Sequence, residues 1–412
     1  MYIAILGRQP EISLAEICAQ FGNAKRISGK IAEFELPEAE KLDFLRQTSV
    51  LTEVGEPNID RFGGSLKFAK KLEQKPLDYL KTLPEGKIVL GVSDYSKRAS
   101  KGHAIHEALK LKQILKKQGR NVRVLPNSTP EISSAVACHE KLGRKPLHVE
   151  LISFERNWYL SLGSQDIEAY SRRDQARPAR DAKVGMLPPK LAQILINLCG
   201  PLKADSTVLD PFCGTGVVLQ EARLMGYLAY GTDISERIVD FAQKNLDWQT
   251  EKTSKKPLST EVNRTDVRLP DCTVEVGDAT NFVWKKQIDA VAAEIYLGPP
   301  MSQAPVEIKL KTAQQECGTI LQGFLKNVSA QVKSGTPVVL AIPAWIRPDG
   351  SYAHLNVDAS EYGFKVMSYA RKPLDEKGKM GYNDSNKLGF SGLLYARPDQ
   401  VVAREIIVLR KN

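Results

Sequence analysis

The sequence contains no run of about 18 apolar residues, the length at which a membrane-spanning helix becomes a candidate. Its N-terminus also lacks a basic region ahead of the apolar residues, so we expect neither a signal peptide nor a membrane span. The six cysteines are scattered and none forms a Cys-X-X-Cys pair, which argues against a zinc site. We therefore expect no bound metal and a reduced, cytoplasmic setting.

The net charge of +10 comes from one part of the chain. Residues 57–165 hold 20 Lys+Arg against 10 Asp+Glu, whereas the remaining residues are balanced. A basic segment of this kind is typical of a domain that binds nucleic acid. The alternative is a solvated basic face that serves only solubility.

Residues 207–216 are the most informative stretch of the sequence. They predict a buried strand that ends in Asp210 and breaks into the turn Gly214-Thr215-Gly216 before a helix, as in α/β ligand sites. A dinucleotide site needs a third glycine, where Leu219 stands, and no Gly-Lys-Ser/Thr is present for a triphosphate. The next strand ends in Asp233, and acidic strand ends suit an ammonium rather than a phosphate. The pair therefore predicts S-adenosylmethionine, with simple helix capping by both aspartates as the alternative.

The order of the predicted elements indicates an α/β chain with several parts. Residues 1–56 follow the order strand, helix, strand, helix, strand, which predicts a small α+β module. Residues 57–165 predict a second α/β unit that begins with a basic helix over Leu66–Glu73. Residues 166–184 predict a polar linker, and residues 185–412 a mixed sheet. Its later strands end at Asp278-Ala279, where an adenine amine could be bound, and at Glu294.

The predicted linker is dense in arginine. Its arginines are suited to holding phosphate, but Asp174 and Asp181 could equally neutralise them locally, and both interpretations stay open. For the basic segment and the linker together, we predict RNA contacts at Lys97, Arg98, Lys101, Arg144, Lys145, Arg172, Arg173, Arg177 and Arg180.

Several stretches resemble one family. Residues 210–216 (Asp-Pro-Phe-Cys-Gly-Thr-Gly) look like the first motif of RNA methyltransferases that act on exocyclic amines. Residues 177–193 are similar to the segment that precedes this motif in the tRNA guanosine-N2 methyltransferases that carry a THUMP domain. Residues 125–163 resemble the end of a THUMP domain, and residues 400–406 the last strand of the family.

The resemblance implies a fold, a cofactor and a partner. The fold would be a C-terminal Rossmann-like class I methyltransferase sheet, preceded by a ferredoxin-like module and a THUMP-like RNA-binding domain. The partner would be RNA, foremost tRNA, bound by a monomer. The implied S-adenosylmethionine contacts are Pro188, Asp210, Phe212, Gly214, Thr215, Gly216, Asp233, Ile234, Asp278 and Ala279.

The resemblance also implies where the chemistry occurs. The family holds a flipped guanine with an Asp/Asn-Pro-Pro-aromatic motif at the end of the fourth strand. Here the acid position falls on Glu294 and the aromatic ring on Tyr296, one place early, so we predict Glu294 as acceptor and Tyr296 as stacking ring. The rival placement, 298–301, keeps two prolines and loses the acid and the ring. Methylation of ribosomal RNA or of adenine N6, and an inactive RNA-binding protein, remain alternatives.

Overall fold

The computed structural model describes residues 1–181, 186–255, 269–369, 387–388, 393–398 and 400–412. The chain is mixed α/β, which confirms the predicted fold class, and it forms two compact units. Unit 1 comprises residues 1–10, 21–46 and 50–169, and unit 2 comprises residues 11–20, 47–49 and 170–412. The predicted boundaries at residues 56 and 165 remain proposals, and the boundary at 184 lies outside the described residues.

The first 175 residues contain eight strands and six helices within the described part of the chain. In order they are β1 (Tyr2–Leu6), α1 (Pro10–Phe21), β2 (Lys25–Arg26), β3 (Ile31–Phe34), α2 (Ala39–Gln47), β4 (Ser65–Lys71), α3 (Pro76–Lys81), β5 (Ile88–Asp94), α4 (Lys101–Lys117), β6 (Val122–Val124), α5 (Ser134–His139), β7 (His148–Phe154), β8 (Asn157–Ser164) and α6 (Ile167–Gln175).

The rest of the chain supplies the second sheet and its helices. In order they are α7 (Pro189–Leu198), β9 (Thr207–Asp210), α8 (Val217–Leu224), β10 (Leu228–Asp233), α9 (Glu236–Lys255), β11 (Cys272–Val276), β12 (Ala290–Glu294), α10 (Glu307–Ser329), β13 (Pro337–Ile346), β14 (Tyr352–Ala353), β15 (Val357–Asp358), β16 (Phe364–Met367), β17 (Lys387–Leu388), β18 (Leu394–Tyr395) and β19 (Val402–Lys411). Short 3₁₀ helices cover Ile59–Arg61 and Ala359–Tyr362.

Unit 1 is built on one eight-stranded sheet of order β2-β3-β1-β4-β8-β7-β5-β6. The pairs β5–β6 and β5–β7 are parallel, and the other neighbours are antiparallel. The strand predicted near the end of the first module is reduced to an isolated bridge between Leu51 and Pro57.

The predicted helix over Leu66–Glu73 is wrong, because most of this range lies in strand β4, which spans Ser65–Lys71. Strand β4 lies between β1 and β8 and buries Phe68. Lys67 is also buried, and its Nζ donates to Glu150 Oε1 and to the Ile132 carbonyl at 2.7 Å. In a strand, every second residue faces the core, and those positions are usually apolar. At one of them β4 carries Lys67 with its own carboxylate partner, which hid the strand pattern.

Unit 2 is built on a sheet of order β11-β10-β9-β12-β13-β19-β16. The first five strands are parallel, and β19 runs antiparallel to β13 and β16. Because the chain leaves β9 in one direction and returns on its other side at β12, the sheet has a topological switch point between these two strands. This arrangement confirms the predicted Rossmann-like sheet.

The sheet of unit 2 is covered on both faces. Helices α7 and α8 pack on one face, here called the α7 face, through residues such as Leu195 and Leu219. Helix α10 covers the other, the α10 face, with Leu321 and Phe324. Residues Ile12, Ala15 and Ala19 of α1 belong to the core of the α7 face. Residues predicted as linker form helix α6.

Candidate active site

Asp210 ends the buried strand β9, beside the switch point. Its side chain is almost fully covered, since the residue is 2% exposed, and its Oδ1 accepts a hydrogen bond from the Phe212 N–H at 3.2 Å. Burial raises the pKa of Asp210 well above its usual range, and the carboxylates of Asp233 and Glu294 raise it further. The charges of two neighbouring carboxylates therefore act on Asp210 at the carboxyl edge of the sheet.

The turn after Asp210 has a backbone that only glycine adopts readily. Gly214 has φ +51° and Gly216 has φ +82°, both in the left-handed region. A Cβ on Gly216 would also lie 3.3 Å from the Cβ of Ala242 in α9. The turn thus allows α8 to begin directly after the strand end, where the first N–H groups of a helix have no partner within the helix.

The missing third glycine has a structural counterpart on the neighbouring strand. Leu219 of α8 is fully buried and packs over Gly231 of β10, where a Cβ would come within 2.5 Å of Leu219 Cδ1. The helix packs closely on the sheet because the strand, and not the helix, carries the glycine. The sequence pattern did not reveal that the glycine for this close packing lies on β10 and not on α8.

Asp233 joins the second strand end to the first. Its Oδ2 accepts from the Gly214 N–H and its Oδ1 from the Ser235 N–H, both at 3.0 Å. Burial raises the pKa of Asp233, and these two hydrogen bonds act in the opposite direction. The next residue, Ile234, is 73% exposed, so it offers an apolar surface beside the carboxylate.

The third strand end has a different arrangement. Asp278 Oδ1 accepts from the N–H and the hydroxyl of Thr280, at 2.9 and 2.8 Å. Ala279 is buried, and its carbonyl accepts from Asn327 of α10 at 2.9 Å. The turn is therefore anchored to α10 while Asp278 stays half-buried at the edge of the sheet.

Glu294 ends β12, on the other side of the switch point. Its Oε1 accepts from Arg404 Nε at 2.8 Å, and the two side chains are only 16% and 9% exposed. Arg404 lies in β19, 110 positions away in sequence, and sequence reasoning missed it. The one available signal was a charged pair, Arg404-Glu405, inside an otherwise apolar strand.

The residues after Glu294 differ in how far they are exposed. Ile295 is buried in the core on the α10 face, whereas Tyr296 is 37% exposed. Burial raises the pKa of Tyr296, and the carboxylate of Glu316 raises it further. Pro299 and Pro300 lie exposed beyond this point. Of the two possible placements of the motif, 294–297 carries an acid at the strand end and 298–301 does not. Glu294 and Tyr296 therefore remain the predicted catalytic residues.

The arginines of the predicted linker divide into two groups. Arg173 is buried, and its Nε donates to Glu221 at 2.7 Å. Arg177 is also buried, which lowers the pKa of its guanidinium, although its contact with Asp174 Oδ1 at 3.3 Å acts in the opposite direction. Neither side chain is placed to meet a phosphate, and we leave both out of the proposed RNA surface. Arg172 and Arg180 are exposed.

The predicted RNA contacts of unit 1 lie in two places. Lys97, Arg98 and Lys101 are exposed around the start of α4, and Lys145 is exposed in the turn before β7. Arg144 is instead mostly covered, because its Nη2 binds Asp60 Oδ1 at 2.6 Å. The group at the start of α4 is therefore the strongest part of this prediction.

Comparisons with known proteins agree with this geometry. A family model described as the RMKL-like methyltransferase domain matches residues 177–268. The tRNA (guanine(10)-N2)-dimethyltransferase of Methanothermobacter thermautotrophicus is 29% identical over 175 residues, which are 42% of this chain and 44% of that enzyme. The enzyme of the same name from Pyrococcus abyssi is 28% identical over 294 residues, 68% of this chain and 72% of that one.

The chain is similar to these two enzymes, and residues 177–268 match a methyltransferase domain. This match agrees with the S-adenosylmethionine site that the sheet and the resemblance of residues 210–216 predicted. The chain spans less than half the length of the first relative and about 72% of the second. The crystal structure of TrmN from Thermus thermophilus matches 100% of this chain and 99% of that one, with 16% identity and a TM-score of 0.42.

The residues at this edge of the sheet are chemically suited to S-adenosylmethionine. The carboxyl edge offers carboxylates for an ammonium and a ribose, an exposed apolar Ile234 for a ring face, and a glycine turn that no phosphate-binding lysine follows. Pro188 is the N-cap residue directly before α7 and is half-buried. In the described ranges no three His, Cys, Asp or Glu side chains are grouped to hold a metal ion. No helix in the part of the chain that the structure describes is long and apolar enough to cross a membrane.

Proposed function

We propose that this methyltransferase modifies the exocyclic N2 amine of a guanosine in tRNA. The observation that carries the proposal is the carboxylate of Glu294, held by Arg404 at the switch point of a cofactor-binding sheet. The names of the two relatives, which are tRNA guanine-N2 dimethyltransferases, support the choice of base and RNA. The altered motif around Glu294 makes the choice of base worth testing directly.

The proposed cofactor contacts follow the strand ends. Asp210 would attract the ammonium, Asp233 would accept from the ribose hydroxyls, and Ile234, Asp278 and Ala279 would surround the adenine. Pro188, Phe212 and the turn 214–216 would complete the site. S-adenosylmethionine supplies an electrophilic methyl group on a positively charged sulfur.

The chain itself would bind and orient the acceptor base. A guanine amine is a weak nucleophile because its lone pair is delocalised into the ring, so positioning contributes most of the catalysis. A base flipped out of the RNA would stack on Tyr296, a contact that contributes about 1–3 kcal/mol. Glu294 would accept a hydrogen bond from the amine and so turn its lone pair toward the methyl group.

Unit 1 would supply most of the RNA affinity. Its exposed Lys97, Arg98 and Lys101 face solvent beside the start of a 17-residue helix, and Lys145, Arg172 and Arg180 are further exposed candidates. We also propose that the enzyme acts in the cytoplasm, where its six free cysteines would stay reduced, and that it acts as a monomer.

The experiment uses the full chain, S-adenosylmethionine with a labelled methyl group, and three separate acceptors: total tRNA, ribosomal RNA and DNA. Each product is digested to nucleosides. We expect label in N2-methylguanosine from tRNA, and Glu294→Ala should remove it without loss of RNA binding. Label in N6-methyladenosine, or label only from ribosomal RNA, would replace the proposed substrate. RNA binding with no label in any nucleoside would indicate the inactive alternative.

A further inference from the structure

Neighbouring residues in the sheet explain why the side chains of Glu294 and Arg404 lie on the same face. Along β12, Ala290 and Ala292 face the α7 face, so the two-residue period of a strand places Glu294 on the same face. Along β19, Ile406 and Val408 face that side, and Arg404 follows the same period. The two side chains therefore meet on one face, although β13 separates their strands.

The strand between them leaves room for this contact. In register, Glu294 is paired with Ala341 of β13, and Arg404 is paired with Pro343, two positions further along. Ala341 faces the α7 face with only a methyl group. The guanidinium of Arg404 can therefore cross β13 to reach Glu294.

The Arg404 side chain is held on both sides. Its backbone pairs with Pro343 of β13 and with Tyr395 of β18, and its Nη1 donates to Gln400 at 3.4 Å. The side chain is only 9% exposed and its backbone lies between two paired strands, so burial and pairing restrict where the guanidinium can go. An ion pair with such a partner fixes the carboxylate more firmly than an exposed lysine would.

We propose that Arg404 is the positioning residue of the acceptor carboxylate, an inference that rests on the proposed function. Its Nε donates a hydrogen bond to Oε1 of Glu294, whereas among the described residues Oε2 has no hydrogen-bond partner. An ionised carboxylate only accepts hydrogen bonds, so Oε2 selects an N–H donor such as an exocyclic amine and disfavours a base carbonyl. The extra methylene of glutamate, compared with aspartate, is restrained by the arginine.

The test compares Arg404→Gln, Arg404→Lys, Glu294→Gln and the double variant Arg404→Gln/Glu294→Gln in the full chain. Methyl incorporation into every nucleoside is measured for kcat and KM, and cofactor affinity is measured by calorimetry. We expect Arg404→Gln to lower kcat by about tenfold or more, because a displacement of about 1 Å can cost about 10²-fold. Cofactor affinity should stay unchanged, and Arg404→Lys should recover part of kcat.

The double variant and a matched control decide the origin of the loss. If Arg404 acts through Glu294, adding Arg404→Gln to Glu294→Gln should cause no further loss. The matched control is Arg410→Gln, near the other end of β19, and it should leave kcat unchanged. The inference is overturned by an unchanged kcat in Arg404→Gln, by losses that multiply in the double variant, or by a joint fall of kcat, cofactor affinity and thermal midpoint that lysine does not restore.

The outcomes also separate this inference from the proposed function. Label in a nucleoside other than N2-methylguanosine, with the expected effect of Arg404→Gln, would reject the proposed substrate and keep the positioning role. Label in N2-methylguanosine that Arg404→Gln does not reduce would keep the function and reject the role. No label from the unmodified chain would reject both.

Discussion

At the scale of single residues, the site is a group of carboxylates that the fold keeps close together. Asp210 is the most deeply buried, and the neighbouring charges of Asp233 and Glu294 disfavour its ionised form. Arg404 pairs with Glu294 and opposes the negative charge of that carboxylate. The unliganded site therefore favours a bound cation, and an ammonium and a sulfonium on one cofactor meet that requirement.

The raised pKa of Asp210 predicts an effect on stability. Because this pKa is higher in the folded than in the unfolded chain, folding is favoured by a protonated Asp210. That contribution is complete below the unfolded pKa of about 3.9 and is lost as the pH rises through the folded pKa. Asp210→Asn removes the ionisation, so the unliganded variant should have a higher thermal midpoint than the unmodified chain at neutral pH and a weaker dependence on pH.

The same variant should bind the cofactor less well. Loss of a charged partner for the ammonium should weaken S-adenosylmethionine about 10- to 100-fold, since a hydrogen bond to a charged group contributes roughly 1.5–3 kcal/mol. Differential scanning fluorimetry across pH, with and without cofactor, measures both effects. An unliganded Asp210→Asn that is less stable at every pH would contradict this account of the site.

The residues of the site differed in how far the sequence predicted them. Asp210 and Asp233 follow apolar strands and flank a glycine turn, so local pattern was sufficient. Arg404 pairs with a residue 110 positions away, and no local pattern reports a contact between strands that far apart. Arg173 and Arg177 were predicted on a surface because charged residues are usually exposed, but buried carboxylate partners overrode that tendency for Arg173.

At the scale of elements, close packing of α8 on the sheet depends on Gly231. A Cβ at this position would lie 2.5 Å from Leu219 Cδ1 and 3.0 Å from the Cβ of Cys213, in a fully packed core. Cys213 belongs to the turn that begins the cofactor site. Any shift of α8 away from the strand would therefore move the turn as well.

We predict that Gly231→Ala lowers the free energy of unfolding by about 1–3 kcal/mol, the usual cost of overpacking a core. The double variant Gly231→Ala/Leu219→Ala should lose less than the sum of the two single losses, because Leu219→Ala removes the methyl group that the new Cβ would meet. Gly318→Ala is the matched control: it lies inside α10 with no atom near its Cβ position, and should be neutral or stabilising. Urea unfolding measures the unmodified chain, Gly231→Ala, Leu219→Ala, the double variant and Gly318→Ala, and additive losses in the double variant would exclude the packing explanation.

Strand β4 shows why some elements escaped prediction. Lysines at positions 67, 70 and 71 suggested the polar face of a helix, and tertiary structure decided otherwise. Lys67 is buried because Glu150, on β7, supplies the opposite charge. The strands of unit 2 were easier to predict because both faces of their sheet are covered, which gives continuous apolar runs.

At the scale of the whole molecule, positive charge and cofactor chemistry occupy different parts of the chain. The basic excess lies in residues 57–165, which belong to unit 1, and the strand ends of the site belong to unit 2. Such a division suits an enzyme that gains affinity from an RNA backbone and selectivity from a pocket.

Replacing Lys97, Arg98 and Lys101 together by glutamine should weaken RNA binding and its dependence on salt. If each side chain neutralises one phosphate, the slope of log affinity against log salt should fall by about 2–3. The control replaces three exposed lysines of unit 2: Lys203, Lys244 and Lys252. Filter binding between low and moderate salt measures both slopes, and equal slopes for the two triple variants would move the RNA surface away from the start of α4.

Unit 2 is not continuous in sequence, since it includes residues 11–20. Within it, Gln20 Nε2 donates to the Asn197 carbonyl at 2.6 Å, and Asn197 Nδ2 donates to Glu16 Oε1 at 2.8 Å. Ala15 is fully buried in the same core as α7. The proposed domain over residues 185–412 would therefore lack part of its own core if it were produced alone.

We predict that Ala15→Asp in the full chain destabilises unit 2 by several kcal/mol, because an unpaired charge would be buried against α7. The readout is the temperature at which cofactor binding is lost, which reports on unit 2. Ala135→Asp, at an exposed position of α5, is the matched control. The fragment 185–412 should lose cofactor binding at a lower temperature than the full chain. Equal temperatures for the fragment, Ala15→Asp and the unmodified chain would show that residues 11–20 contribute nothing to the stability of unit 2.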